Sequence, residues 1–483
     1  MTARRSASAR TLVMKFGGTS VGTPQAMQAA VELVRQARAD WPRLVVVTSA
    51  LAGVTDLLLG SAAAAARGDP SVAQGGEAQL RRAHHAAAEA LIADPDRRLR
   101  AKAEVDALIA EYLSLCRAIG VLGEATPRAL DAVASLGERL CIRLLAPALD
   151  SAGVAAEAVE STRLIRTDNR FQGAHPDPQA TARLTRQVLD PILAAGGVPV
   201  VTGFIGATAE GVTTTLGRGG SDYSAALLGA ALPADDVWIW TDVDGVMSAD
   251  PRLVEAPHTI PELTYREVAE LAYFGAKVLH PKTVLPVVTA GIGLRICNTF
   301  HPAHPGTRLV AAPAGAGRAA DGPVVKAVTA IRRQRLVTVE GRGMMGVPGV
   351  AARTFGAVAS TGTSVPLITQ ASSEQSICFA VPDESAGRVL EALKRTFSDE
   401  LSVQDIDRVW ATDEVAIITV VGEGMKHTPG VAGRVFGALG QGGINVIAIA
   451  QGSSEVSISL VVDGAEAEAA VRALHTLIVI GGG

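Results

Sequence analysis

Lys15 closes an apolar run that begins at Leu12, and Gly17, Gly18, Thr19 and Ser20 follow before a helical pattern sets in near Gln25. These residue types make a phosphate grip. Glycines let backbone N–H groups approach phosphate oxygens closely, hydroxyls and a helix N-terminus add donors, and the lysine adds a full charge. A plain strand-to-helix turn with a solvated lysine is the other reading, although lysines are few among many arginines and one of them stands here. The loop is not of the Walker type, because no Gly-x-x-x-x-Gly-Lys-Ser/Thr occurs in the chain.

A second anion-shaped loop runs from Thr213 to Ser224, with Thr215, glycines around Arg218, and then Ser221 and Asp222 at the start of a helix expected over Tyr223–Ala230. Arginine in so glycine-rich a loop suits bidentate recognition of carboxylate or phosphate. Asp222 can be an N-cap, or serve the loop as well. Ser49, Thr55 and Asp56 lie on a further donor-rich turn, where a simple helix cap is the alternative. Glu138 stands beside Arg139 on a helical stretch, with an exposed ion pair as the competing reading. Thr241 and Asp242 close a strand, and Asp250-Pro-Arg252 and Phe274–Pro281 follow. Lys277, in the last of these, is by default a solvated lysine on a short helix.

The elements that must position these groups are legible as a pattern. From Leu12 to about Val310, β-branched runs (Leu44–Thr48, Val198–Phe204, Val237–Thr241, Leu294–Asn298) alternate with amphipathic helices. Such alternation implies an α/β fold with a mainly parallel sheet sandwiched by helices. Ser61 to Cys116 reads as a wholly helical insertion. The expected layout is a short disordered lead-in (1–10), a first domain (11–310), a Gly/Pro/Ala-rich linker (311–322) and a C-terminal region (323–483).

That last region repeats itself. Gln370 and Ser372-Ser373-Glu374 recur at one constant offset as Gln451 and Ser453-Ser454-Glu455, with Gly-Met, Pro-Gly, Arg and Phe-Gly matches before each. Each copy (about 333–410 and 413–483) reads β-α-β-β-α-β, a ferredoxin-like α+β unit. Side-by-side pairing would turn the matching polar turns into paired sites; a duplicated scaffold without a ligand is the plainer alternative. Gly341-x-Gly343-x-x-Gly346 imitates a dinucleotide fingerprint, but the second copy lacks the third glycine and no acidic residue follows at the required spacing.

Composition limits the function classes. A chain of 483 residues has room for about three domains with real cores. Its net charge of −4 and 19% charged residues include no basic stripe, which argues against nucleic acid. No apolar run is long enough to span a bilayer, and no apolar signal core follows the basic N-terminus. The four cysteines are scattered without a C-x-x-C pair, which fits a reducing cytoplasm and no structural zinc.

Taken together, KFGGTSV, SALAGVTD, SLGERL, TTTLGRGGSDYSAA, WTDVDGVMSADPR and FGAKVLHP resemble, in their order, the motifs of aspartate kinases of the amino acid kinase superfamily. The repeated half is similar to the tandem ACT domains that accompany those kinases. Its ITQASSEQSI and IAQGSSEVSI turns are similar to the threonine-sensitive branch found in fused aspartate kinase–homoserine dehydrogenases. The resemblance implies roles. Lys15, Gly17, Gly18, Thr19 and Ser20 hold the transferring phosphoryl group and the β/γ-phosphates, with Lys15 and its organiser Asp222 catalytic. Thr241, Asp242, Arg252 and Lys277 contact ATP. Arg218 clamps the α-carboxylate of aspartate, Glu138 meets its ammonium, and Ser49, Thr55, Thr215 and Ser221 complete the pocket. Met247 stands where the family usually has tyrosine. Mg²⁺ is expected on the ATP phosphates rather than on a protein metal site. An amino-acid effector, threonine before lysine, is expected at Gln370, Ser372, Ser373, Glu374, Gln451, Ser453, Ser454 and Glu455, in a homo-oligomer joined through the ACT domains. The rivals are another amino acid kinase, such as glutamate 5-kinase, and a catalytically inactive amino-acid sensor.

Overall fold

A computed structural model of the chain describes residues 10–276, 279, 281–311, 324–344, 347–370, 375–425, 428–452 and 456–480. Contacts divide it into two compact units, Met1–Val246 with Pro261–Tyr265 and Leu279–Ala311, and Met247–Ile260 with Arg266–Val278 and Ala312–Gly483.

The strands of the first unit are β1 (Thr11–Phe16), β2 (Arg43–Thr48), β3 (Ala156–Val159), β4 (Val198–Thr202), β5 (Ile205–Ala207), β6 (Thr213–Thr215), β7 (Asp236–Thr241), β8 (Glu262–Thr264), β9 (Gly293–Asn298) and β10 (Thr307–Val310). Helices α1 (Pro24–Asp40), α2 (Val54–Ala66), α3 (Ser71–Leu91), α4 (Pro95–Leu122), α5 (Pro127–Ser151), α6 (Pro178–Ala194), α7 (Gly220–Ala231) and α9 (Pro281–Ala290) alternate with them, while α8 (Tyr265–Tyr273) belongs from Arg266 onward to the second unit. Eight strands form one sheet in the order β3-β4-β2-β1-β7-β9-β10-β8. It is parallel from β3 to β9, and only β9 and β10 run antiparallel. Every residue of β1 is buried, as a central strand covered on both faces requires. Because β2 lies on one side of β1 and β7 on the other, the chain reverses its winding there. The loops leaving the C-terminal ends of β1, β2 and β7 open at that reversal, where doubly wound sheets bind ligands.

Two sequence expectations change in detail. The strand expected to reach Phe204 stops at Thr202, because Phe204 adopts φ +66° and the chain turns into the β5–β6 hairpin. The helical insertion is not continuous: Gly68 (φ +83°) with Pro70, and later Asp94-Pro95, divide it into α2, α3 and α4.

The second unit contains β11 (Ala327–Glu340), β12 (Leu367–Gln370), β13 (Ser376–Pro382), β14 (Arg408–Ala411), β15 (Val415–Val421), β16 (Ala448–Ala450) and β17 (Ser457–Asp463). Its helices are α10 (Val350–Ser360), α11 (Asp383–Thr396), α12 (Ser398–Ser402), α13 (Val431–Gln441) and α14 (Ala467–Ile480). One antiparallel sheet joins both copies in the order β12-β13-β11-β15-β17-β16, with β14 also paired to β11. The long strand β11 serves both copies. Gln334–Glu340 pairs with β13, whereas Ala327–Ile331 pairs with β15, and the register shifts between Ile331 and Gln334. Thus the fourth strand of the second copy precedes the first copy in the chain, and none follows α14 among the described residues. The dinucleotide-like glycines have a packing role: a Cβ on Gly341 or Gly343 would come within 2.4 Å or 2.7 Å of the Asp405 backbone.

Candidate active site

Lys15 is the fifth residue of β1, in register with Val47 and Ile239 of the neighbouring strands, and is only 8% exposed. A charge buried among apolar strands needs a partner. Asp222 supplies it, with its carboxylate 2.5 Å from Nζ. Asp222 is the third residue of α7 and not its cap; the cap is Gly219, in left-handed conformation at φ +71°.

The phosphate loop is held from below. Gly17 N–H donates to the Trp240 carbonyl at the end of β7, 3.0 Å, and Ser49 N–H donates to the Phe16 carbonyl, 3.1 Å. Ser20 has a second attachment that the sequence does not show. It is fully buried, donates to the Trp240 carbonyl at 3.2 Å and accepts from Thr299 Oγ1 at 2.7 Å, so its hydroxyl ties the loop to β7. Thr19, by contrast, is exposed. The helix after this loop is also closed: Thr23 caps α1 through the Ala26 N–H at 3.1 Å. By contrast, α2 and α7 start on the left-handed glycines Gly53 and Gly219 and have no side-chain cap bond. Both starts line one cavity of about 570 Å³, so their dipoles favour an anion there. Thr55 and Asp56 are first-turn residues on its wall, not caps.

The same cavity gathers Lys15, Gly18, Ser49, Thr55, Glu138, Thr215, Arg218, Ser221 and Asp222. Arg218 is exposed, and the reading of Glu138 as a surface ion pair is excluded, since Glu138 is 3% exposed. Arg139 faces elsewhere, toward Glu111 at 2.8 Å and Glu160 at 3.3 Å. One Glu138 oxygen accepts from Ala50 N–H at 3.1 Å; Oε2 has no partner among the described residues. Burial pushes the Glu138 carboxyl up to about 8, against the pull of the Ala50 N–H and the Lys15 charge. A buried carboxylate with a free oxygen beside an arginine loop is chemically a receptor for a cation that also carries an anion.

Sequence reasoning overlooked Asp131 and Gln172, which line the cavity too. Asp131 stands two helical turns before Glu138 on α5, a spacing that could have pointed to it.

Of the nucleotide-directed residues, Thr241 and Asp242 sit at the C-terminal end of β7, where Thr241 Oγ1 donates to Asp242 at 3.1 Å. Arg252 belongs to the second unit and pairs with Asp250 at 2.5 Å. Met247 accepts a weak bond from Thr259 Oγ1 at 3.6 Å. Lys277, Ser372, Ser373, Glu374, Ser453, Ser454 and Glu455 lie outside the described residues. Gln370 and Gln451 are exposed, at the end of β12 and just beyond β16. Among the described residues no group of three or more His, Cys, Asp and Glu side chains is placed to hold a metal ion, and no helix is long and apolar enough to cross a membrane.

The amino acid kinase family profile matches residues 10–298, and the ACT domain profile matches 337–397 and 418–477. Bifunctional aspartokinase/homoserine dehydrogenase 1 of Zea mays is 37% identical over 96% of this chain, which spans 50% of that relative. Thus the chain covers about half the length of the bifunctional relatives it matches. Lysine-sensitive aspartokinase 3 of Escherichia coli is 34% identical over 96% of this chain and 98% of its own length. The crystal structure of E. coli aspartokinase III with aspartate and ADP superposes with a TM-score of 0.78 at 33% identity, covering 97% of this chain and 100% of that one.

Proposed function

The chain belongs to the amino acid kinase family, in its aspartokinase branch with ACT domains, and from that premise we propose that it phosphorylates the β-carboxylate of L-aspartate with ATP. The observation that carries this reading is the cavity that joins the Lys15–Asp222 pair to the buried, half-satisfied Glu138 and the Arg218 loop. One end suits a phosphate and the other suits an α-amino acid.

In the proposed reaction Arg218 holds the α-carboxylate and Glu138 the ammonium, while Ser49, Thr55, Thr215 and Ser221 surround the side chain. The β-carboxylate is already ionised near neutral pH, since its ordinary pKa is about 4, so no general base is needed. A carboxylate oxygen attacks the γ-phosphorus, the bond to the β,γ-bridging oxygen breaks, and ADP leaves with the electron pair. The products are 4-phospho-L-aspartate and ADP. Two anions must approach while negative charge grows on the leaving group, and charge compensation is therefore the main requirement. Lys15 supplies it directly, and Asp222 keeps the ammonium aimed. The starts of α2 and α7 add fixed dipoles. By the family resemblance, Gly17, Gly18 and Thr19 serve the phosphates, and Thr241, Asp242, Arg252 and Lys277 serve the nucleotide. Mg²⁺ bound to the ATP phosphates supplies further neutralisation.

The ACT region supports feedback by an amino acid in a homo-oligomer, with threonine favoured over lysine. The relatives include a bifunctional aspartokinase/homoserine dehydrogenase and a lysine-sensitive aspartokinase. The product is an intermediate suited to lysine, threonine and methionine synthesis, and the four unpaired cysteines support a cytoplasmic setting.

Product identity tests the reading. Incubation with ATP, aspartate and hydroxylamine is expected to yield the β-hydroxamate of aspartate by mass spectrometry. The γ-hydroxamate formed from glutamate, or no hydroxamate with either acceptor, would reject it.

A further inference from the structure

This inference deepens the amino-acid pocket assigned above. Two of its lining residues that are not glycine, Gln172 and Phe204, hold left-handed backbone at φ +67° and +66°. Such conformations are strained and persist only where surrounding structure enforces them. Both residues brace the loop that carries Arg218. A Cβ on Gly217 would stand 3.1 Å from the Gln172 carbonyl oxygen, and one on Gly220 would stand 2.6 Å from the Phe204 ring. Leu216 N–H also donates to the Phe204 carbonyl at 2.8 Å. The Arg218 loop therefore rests directly on two strained residues.

Asp131 enforces the first of them. It is 1% exposed on α5, and both of its oxygens accept from Gln172 N–H, at 3.1 Å and 3.0 Å. One oxygen also takes the Thr215 hydroxyl at 2.8 Å and the other takes Thr215 N–H at 2.8 Å. Thr215 in turn accepts from Ala174 N–H at 2.9 Å, which closes the Gln172 turn onto β6. Four donor contacts on one carboxylate leave it little capacity for substrate. Yet α5 also carries Glu138, so one helix bears both the ammonium partner and the anchor of the carboxylate-binding loop.

We propose that Asp131 is a positioning residue for aspartate: by tying the Gln172 turn and Thr215 to α5, it fixes the span between Arg218 and Glu138 across which the α-amino-acid group is held. An Asn at this position keeps the shape but replaces one acceptor oxygen with a donor facing donors. Asp131→Asn is therefore expected to raise the aspartate KM at least about tenfold, with kcat and the ATP KM within about threefold of wild type. Glycine adopts positive φ without strain, so adding Gln172→Gly should bring the aspartate KM of Asp131→Asn to within about threefold of the Gln172→Gly single variant. An unchanged aspartate KM, a parallel change in kcat and both KM values, or no recovery in the double variant would overturn the proposal. Should Asp131→Asn fail to fold, hydrogen exchange on the wild-type protein decides: the Gln172 and Thr215 amides are expected to be protected, and exchange of Gln172 at the open-chain rate overturns the clamp. A wild type with no aspartate-dependent turnover would instead remove the assigned substrate, leaving the clamp to the exchange measurement.

Discussion

Lys15, Asp222, Glu138 and Arg218 could be singled out from the sequence because each is a charged residue set among glycines or apolar neighbours, and the fold brings all four to one cavity. The attachment of Ser20 was not legible, because the hydroxyl that bonds it, on Thr299, is remote in sequence. Asp131 stayed hidden because its partners, Gln172 and Thr215, are remote in sequence and two of the three donor groups are backbone N–H. If Lys15 compensates charge in the transition state, Lys15→Ala should lower kcat by at least about 100-fold in steady-state assays. Arg218→Lys should raise the aspartate KM far more than the ATP KM, because an ammonium cannot replace the bidentate guanidinium. Equal effects on both substrates would assign the loop to the nucleotide. Glu138 adds a pH dependence. Its carboxyl is raised to about 8 in the folded protein, so near neutral pH it carries a proton that must leave when the substrate ammonium binds. The aspartate KM should therefore fall as pH rises, up to about tenfold per pH unit, and level off above about pH 8. Glu138→Gln should bind weakly with a flat profile, and a flat wild-type profile would contradict the assignment.

At the scale of elements, the alternation of β-branched runs with amphipathic helices was enough to foresee a mainly parallel sheet, because β1, β2 and β4 are buried over nearly all their length and are mostly apolar on both faces. The exact ends were not foreseeable. The strand before Phe204 terminates at a left-handed residue enforced by tertiary contacts, which periodicity does not record. Nor did the repeat reveal that β11 would serve both copies, since sequence self-similarity marks units but not strand exchange between them. The insertion α2–α4 carries its own signature. His84 on α3 is fully buried, its Nδ1 lies 2.7 Å from the Leu80 carbonyl and its Nε2 has no partner among the described residues. Burial lowers its pKa to about 4. A depressed folded-state pKa on histidine means that the neutral form is favoured on folding. Its contribution is complete above the unfolded value of 6.5 and is lost as pH falls toward 4. That amounts to about 3 kcal/mol of acid sensitivity. Thermal melts near pH 7 and near pH 5 should show a smaller acid loss for His84→Leu than for wild type; identical losses would mean that His84 does not titrate on unfolding.

At the scale of the whole molecule, the amino acid kinase family match and the two ACT domain matches support the proposal of a catalyst joined to an amino-acid sensor. Feedback requires an effector that binds two states of the enzyme with different affinity. Gln370 and Gln451 occupy equivalent positions of the two copies, and their exposure leaves both amides open to a ligand. Replacing both with alanine should preserve uninhibited turnover while weakening threonine inhibition. Full threonine sensitivity in the double variant, or a wild type that responds to lysine alone, would remove threonine from the account. The central claim is acceptor phosphorylation in the Lys15–Glu138–Arg218 cavity, and the rate of ADP release from MgATP with aspartate or glutamate as the only acceptor tests it most directly. The account predicts release that saturates with aspartate and stays at the acceptor-free rate with glutamate. Equal rates with and without aspartate would contradict it.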